Sequence, residues 1–214
     1  MTDPKRKYYE KRANVLIKNL HSRHFEACYC ADKAEALEKA LEWIPAGSSV
    51  GWGGAMSAQQ IGLLDTVRTG DYRALDRERA ATPEERKAIM KQCLGADVFI
   101  TGANALSLDG QMVNIDGNGN RVSSTLYGHQ KVYFLVGVNK VAPDFEAALW
   151  RARNVAAPKR AQSMGCRTPC AAKADRCYDC KSPERICRGL AVLWARPNAT
   201  EEMEVVLIGE ALGM

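Results

Sequence analysis

No apolar run in this sequence approaches the roughly 20 residues that a helix needs to span a bilayer. Its opening stretch, MTDPKRKYYEKR, is charged and lacks the apolar core of a secretory signal. The expectation is a cytoplasmic protein with no membrane partner. Internal repeats and low-complexity tracts are also missing, which excludes solenoids and disordered linkers. Charge of one sign is scarce: 30 Lys and Arg face 25 Asp and Glu, for a net charge of +5, and the bases are spread out. That reads as a solvated basic surface rather than a nucleic-acid groove, and it suits a small anionic ligand.

The 214 residues are 46% hydrophobic and 26% charged, which is ordinary for one globular domain with a real core. Eight cysteines stand out. Cytosolic thiols stay reduced, so they suggest metal or redox chemistry before structural disulfides.

Residues 5–22 carry Tyr8, Tyr9, Ala13, Leu16, Ile17 and Leu20 at helical spacing and predict a leading helix. A short strand follows over 25–30, with Cys28 and Cys30 on one face as packed small hydrophobes. Asp32 and Glu35 form a capping-box signature ahead of a helix over 33–44. Strand 48–52 then runs into Gly51-Trp52-Gly53-Gly54, and a helix beginning near Ala55 or Ser57 carries Ile61, Leu63, Leu64 and Val67. Strand, glycine turn and helix aim free N–H groups at an anion, and Ser57 adds a hydroxyl there. Met56 occupies the place of the third small residue of a dinucleotide fingerprint, so no dinucleotide site is assigned. A tight turn joining strand to helix is the alternative.

Next come a strand over 72–76 and a helix over 83–94, with Thr82 as cap, Pro83 at its first position, Ile89, Met90 and Leu94 inward and Cys93 in the core. Strand 97–101 opens into the most polar stretch of the chain. Between Gly102 and Arg121 lie four glycines, four asparagines and two aspartates. Asn and Asp are poor in strands and helix interiors, whereas glycine lets backbone N–H groups approach a ligand. A turn at 108–111, a brief strand at 112–115 and a helix over 121–127 complete this stretch. Asn104, Asn114, Asp116, Gly117, Asn118, Gly119, Asn120 and Arg121 are therefore candidate ligand contacts, with hairpin turns and a surface arginine as the structural alternative.

The most apolar strand, 131–138, ends at Asn139 and Lys140, where open α/β sheets place ligands. Helix 144–155 follows and closes at Pro158, and late strands lie at 192–194 and 205–208. Strands alternating with helices predict an α/β fold: one mostly parallel sheet with helices on both faces.

Five cysteines fall in the segment 163–188, a Cys-rich insertion in the C-terminal part of the single domain 1–214. The segment has too few bulky apolar groups for a core of its own. A Zn²⁺ ion or an iron–sulfur cluster held by Cys170, Cys177, Cys180 and Cys187 would supply one. A reduced hairpin of packed cysteines is the alternative, and the spacing matches neither the paired zinc pattern nor the bacterial ferredoxin run.

Four blocks carry a resemblance: VGWGGAMS at 50–57, DVFITGANALS at 97–107 continuing through VNIDGNGNR at 113–121, VGVNK at 136–140, and TPC at 168–170 with the late cysteines. From about Tyr8 to Gly213 the chain resembles the LUD family, lactate-utilisation proteins of the LutC type. The resemblance implies the fold of the ribose-phosphate isomerase (RpiA), glucosamine-phosphate deaminase (NagB) and CoA-transferase group. It also implies a part in oxidation of L-lactate to pyruvate, beside partner subunits that carry iron–sulfur clusters. Within that group, Gly51, Gly53 and Ser57 resemble the phosphate loop. Asn104 stands where the sugar isomerases carry an essential acid. An amide is no base near neutral pH, which leaves Asp109 and Asp116 as candidate acids.

Two readings follow. One is a lactate-utilisation component that binds an anionic metabolite or nucleotide-like ligand through Gly51, Gly53, Gly54, Ser57, the polar stretch, Asn139 and Lys140. The other is a stand-alone isomerase or transferase acting on a phosphorylated or CoA-linked substrate. A second copy of the chain is a further candidate partner.

Overall fold

The computed structural model describes residues 4–214. Ten strands run through them: β1 (Glu26–Cys30), β2 (Ser49–Gly53), β3 (Arg73–Leu75), β4 (Val98–Thr101), β5 (Ala105–Ser107), β6 (Met112–Asp116), β7 (Lys131–Gly137), β8 (Val141–Ala142), β9 (Gly189–Leu193) and β10 (Glu202–Ile208). Six form a wholly parallel sheet in the order β1-β10-β7-β4-β2-β3. Alternation along its central strands feeds two cores. On β10, Val206 and Ile208 face one side while Val205 and Leu207 face the other; on β7, Tyr133 and Leu135 alternate with Val132, Phe134 and Val136. Each face must therefore be covered, which a parallel sheet requires.

One cover is α2 (Lys33–Trp43), which buries Ala36 and Ala40 and is capped by the Asp32 side chain on the N–H groups of Ala34 and Glu35. Beside it lie α3 (Met56–Gln60) and α4 (Leu63–Thr69). A single helix was expected there; Gly62, at φ 85°, splits it into two short pieces. The opposite cover is α1 (Pro4–His21), which seats Ala13, Leu16 and Leu20. The helix α5 (Pro83–Gln92) starts under the Thr82 cap as expected, but it buries no side chain fully and Leu94 beyond it is exposed. Cys30 and Cys93 are core residues, and Cys28 packs beside the first.

The sequence did not indicate a second sheet, β8-β5-β6-β9, in which β6 is antiparallel to both β5 and β9. Part of the polar stretch folds into it as a hairpin, and the late strand expected in the main sheet joins it as β9. The helix α6 (Asn120–Leu126) follows β6. The expected stop at Pro158 does not occur. The helix α7 (Phe145–Arg151) widens into a π-helical turn, Ala152–Ala156, and continues as α8 (Ala157–Ser163) with Pro158 in its first turn. The wider turn absorbs the N–H that proline lacks, and π turns recur at functional sites. The Cys-rich segment contributes the one-turn α9 (Pro169–Lys173). Among the described residues no helix is long and apolar enough to cross a membrane.

Candidate functional site

The chain leaves β2 outward for β3 and leaves β4 inward for β7, although β2 and β4 are neighbours. Loops departing in opposite directions open a crevice beyond the carboxyl ends of such strands. A cleft of about 490 Å³ occupies that place. Gly54 lines it and Gly102 packs behind: a Cβ on Gly102 would stand 3.4 Å from the Gly54 carbonyl oxygen and 3.6 Å from Lys140 Nζ. A Cβ on Gly54 would stand 2.6 Å from Arg121 Nη1, so the guanidinium rests directly on this glycine turn. The turn after β2 and the loop before α6 thus share one crevice, with Lys140 at its floor.

Arg121 is held by its Nη2, which donates to Asn104 Oδ1 at 3.0 Å and to the Ile115 carbonyl. Burial lowers its pKa, opposed by Asp116 and reinforced by Arg160 and Arg77. Lys140 is only 4% exposed, and its ammonium donates to Ser57 Oγ at 3.2 Å. No carboxylate lies within ion-pair distance of it among the described residues. Burial, aided by the charges of Arg151 and Arg121, pushes its pKa down to about 7. Arg151 crosses behind, donating to the carbonyls of Asn139, at 3.0 Å, and of Asn104.

Several expected contacts have other roles. Gly51 lies inside β2, where a Cβ would collide with Cys93 at 3.1 Å; it is a packing glycine. Asn139 accepts the Leu212 N–H at 3.0 Å and ties down the C-terminal stretch rather than facing the cleft. Asn114 is buried and accepts the Asn104 N–H at 3.2 Å. Neither candidate acid is placed as a base in the cleft, which Asp109 does not line. Asp109 sits at the exposed tip of the β5–β6 hairpin, docked on α1 through Arg23 and Asn19. Asp116 accepts the N–H groups of Gly117, Asn118, Arg121 and Val122 at 2.7, 3.3, 2.9 and 3.1 Å. Gly119, the cap position of α6, has no side chain, so Asp116 satisfies the donors a cap residue would take. Gly53 packs on Asn120, and Asn118 and Asn120 line the cleft; Gly117 and Gly119 shape the loop that carries them.

Among the described residues no three of His, Cys, Asp and Glu gather as a metal-binding group, Cys170, Cys177, Cys180 and Cys187 included. Arg185 holds the segment instead: its guanidinium donates to the carbonyls of Cys180 and Cys187 and to Asp179 Oδ1, each at 2.8 Å. Arg167 pairs with Glu184 at 2.6 Å, and Cys177 N–H donates to Asn154 at 3.0 Å. The segment presses on the site, since a Cβ on Gly117 would stand 2.7 Å from the Ile186 carbonyl oxygen.

The fold also brings in cations that the sequence did not single out. Arg77, Arg86, Arg160, Arg185 and Arg188 join Arg121 and Lys140 around the cleft, against Glu78 and Asp116 alone among acidic side chains. Glu78 faces Arg68 at 3.4 Å and Asp116 accepts from backbone N–H groups, so the bases outnumber the acids seven to two around the pocket. Nε of Arg77 is buried without a partner. Its signal was available: Arg77 lies two residues past the carboxyl end of β3, where the rule applied to Lys140 also holds. Arg160 gave none, because the helix carrying it was expected to stop at Pro158.

A crystal structure described as a DUF162 family protein from Deinococcus radiodurans has a similar fold, with TM-score 0.55 and 11% identity over 94% of this chain and 98% of that one. No curated protein matches the sequence at a significant level. The family model described as LUD domain matches residues 13–208, which takes in both sheets and the cleft lining except Met214. The chain belongs to the LUD-domain family.

Proposed function

We propose that this protein is a lactate-utilisation component, acting in the oxidation of L-lactate to pyruvate, whose cleft binds an anionic metabolite or a nucleotide-like ligand. One observation carries the reading: seven basic residues line the cleft while its two acidic side chains are already engaged. Charge gathered this way in a concave, partly apolar site raises the local concentration of anions. Trp52, Met56, Met90 and Ile186 give a ligand body somewhere to pack. Partner subunits bearing iron–sulfur clusters belong to the same reading. Of the carboxylates expected as a general base for the isomerase or transferase reading, Asp109 does not line the cleft and Asp116 is taken up by backbone N–H groups.

The test is thermal unfolding in lactate, pyruvate, phosphate and a nucleotide, each titrated at constant ionic strength. A ligand that binds the folded state alone raises the melting temperature with log concentration. Arg160 is exposed at the rim, so Arg160→Ala should leave the unliganded melting temperature unchanged and weaken the ligand-induced rise by about tenfold in apparent affinity, one charge-assisted hydrogen bond. A melting temperature indifferent to all four ligands would overturn the reading.

A further inference from the structure

The anions alone do not explain why the least exposed cation in the cleft is a lysine with a hydroxyl for its partner. Lys140 lines the cleft, whereas Ser57, 1% exposed, lies behind it and does not. A ligand therefore meets the amine and not the hydroxyl, which disfavours a serine nucleophile. Gly102 and Gly213 pack beside the amine without a side chain, a Cβ on either standing 3.6 Å or 2.6 Å from Nζ, so its open side is the one that lines the cleft. Two hydrogen bonds fix Arg121 through Nη2, and its Nη1 faces the same glycine turn with no acceptor among the described residues.

We infer that Lys140 is a nucleophile that forms a covalent imine with the carbonyl carbon of a small 2-oxo acid whose carboxylate rests on Arg121. The inference deepens the anion-cleft reading and rests on it. The steps balance without an oxidant or reductant. The unprotonated Nζ attacks the carbonyl carbon and a C–N bond forms. The carbonyl π pair moves to oxygen, which takes up a proton and becomes a carbinolamine hydroxyl. That hydroxyl departs as water while nitrogen loses a proton, so amine plus ketone gives imine plus water. Ser57 Oγ, in hydrogen-bond reach of Nζ, accepts and returns the proton at nitrogen. An amine crowded by burial and neighbouring cations is the usual means of keeping such a lysine unprotonated, as in lysines desolvated beside a second cation.

The experiment treats the full chain with pyruvate, the smallest 2-oxo acid with a ketone carbon, and sodium borohydride near pH 7.5, followed by intact-mass measurement and peptide mapping. The expected result is one adduct with the mass of pyruvate less one oxygen atom, on Lys140. Its yield should exceed that at any surface lysine by about tenfold or more, because an ordinary lysine is unprotonated in only about one molecule in a thousand at that pH. Lys140→Arg, which keeps the charge, and Lys140→Met should both lose the adduct. Acetone, which lacks the carboxylate, should label Lys140 about tenfold less. If pyruvate raises the melting temperature but leaves no adduct on Lys140, or labels surface lysines equally, the inference fails and the anion cleft stands. If no anion shifts the melting temperature and no adduct forms, both fail.

Discussion

Lys140 shows how one residue can be placed against stability. A buried ammonium without a counter-charge favours the unfolded chain, where water solvates it. Its folded pKa of about 7 lies below the ordinary value of 10.5. Below pH 7 both states keep the proton, and the folded state bears the full penalty. Between pH 7 and 10.5 the folded state releases the proton while the unfolded state keeps it, so stability rises with pH across that window and the penalty fades. Each pKa unit is worth about 1.4 kcal/mol, which makes the penalty a few kcal/mol at neutral pH and below. Lys140→Met should therefore raise the unliganded melting temperature at pH 6, by about 5 °C or more, with the gain shrinking steadily up to pH 9.5. A Met variant less stable than the parent at pH 6 would mean that Lys140 holds the fold together. At this scale the sequence revealed position more readily than role. Lys140 and Arg121 could be placed at strand and loop ends from spacing alone. Asp116 could not be told from a reactive group, because a carboxylate that caps a helix and one that takes a substrate proton look alike in a sequence.

Among the elements, α6 and its preceding loop make the clearest case. The helix is too short to be stable alone, and its cap position is a glycine at φ 81°. Its first free N–H groups are satisfied from Asp116, which also orders the loop and fixes the backbone that carries Arg121. Asp116→Ala leaves four donors without an acceptor and should lower stability by about 2 kcal/mol, with a lower urea midpoint and an unchanged slope. Asp116→Asn, which keeps one carbonyl oxygen, should recover part of the loss. An unmoved midpoint in the Ala variant would refute the capping role. Most elements could be anticipated because each had a local cause: Asp32 and Thr82 cap the helices they precede, and apolar runs mark β4, β7 and β10. The elements that could not be anticipated have non-local causes. β5 and β8 are three and two residues long, pair only with one another's sheet, and carry no periodicity to read. The passage of a helix through Pro158 depends on a π turn that composition does not signal.

Across the whole molecule, the cleft assembles pieces more than 130 residues apart. Its bases, from Arg77 to Arg188, looked evenly scattered along the chain, and only the parallel topology, which stacks the carboxyl ends of β2, β3, β4 and β7 at one edge, turns scatter into a pocket. The Cys-rich segment is the last wall to be added. It is held to the rest by Ile186 against Gly117, by Arg188 N–H to the Asp116 carbonyl at 2.9 Å, by Cys177 N–H to Asn154 and by the exposed ion pair of Asp179 with Arg153 at 3.8 Å. These are few and partly exposed contacts, so this wall should open locally at far lower free energy than the sheet. An anion bridging Arg121, Arg160 and Arg185 would tie three independent segments together, and local opening would then require losing the ligand. Hydrogen–deuterium exchange should accordingly slow in residues 53–58, 117–122 and 182–188 on addition of a saturating anion, while exchange in β7 and β10, already governed by global unfolding, should change little. Slowing confined to one of the three segments would mean that the ligand sees one loop and that the cleft does not act as a unit. Slowing in all three together would identify the segment's structural task, with its thiols left out of the contact.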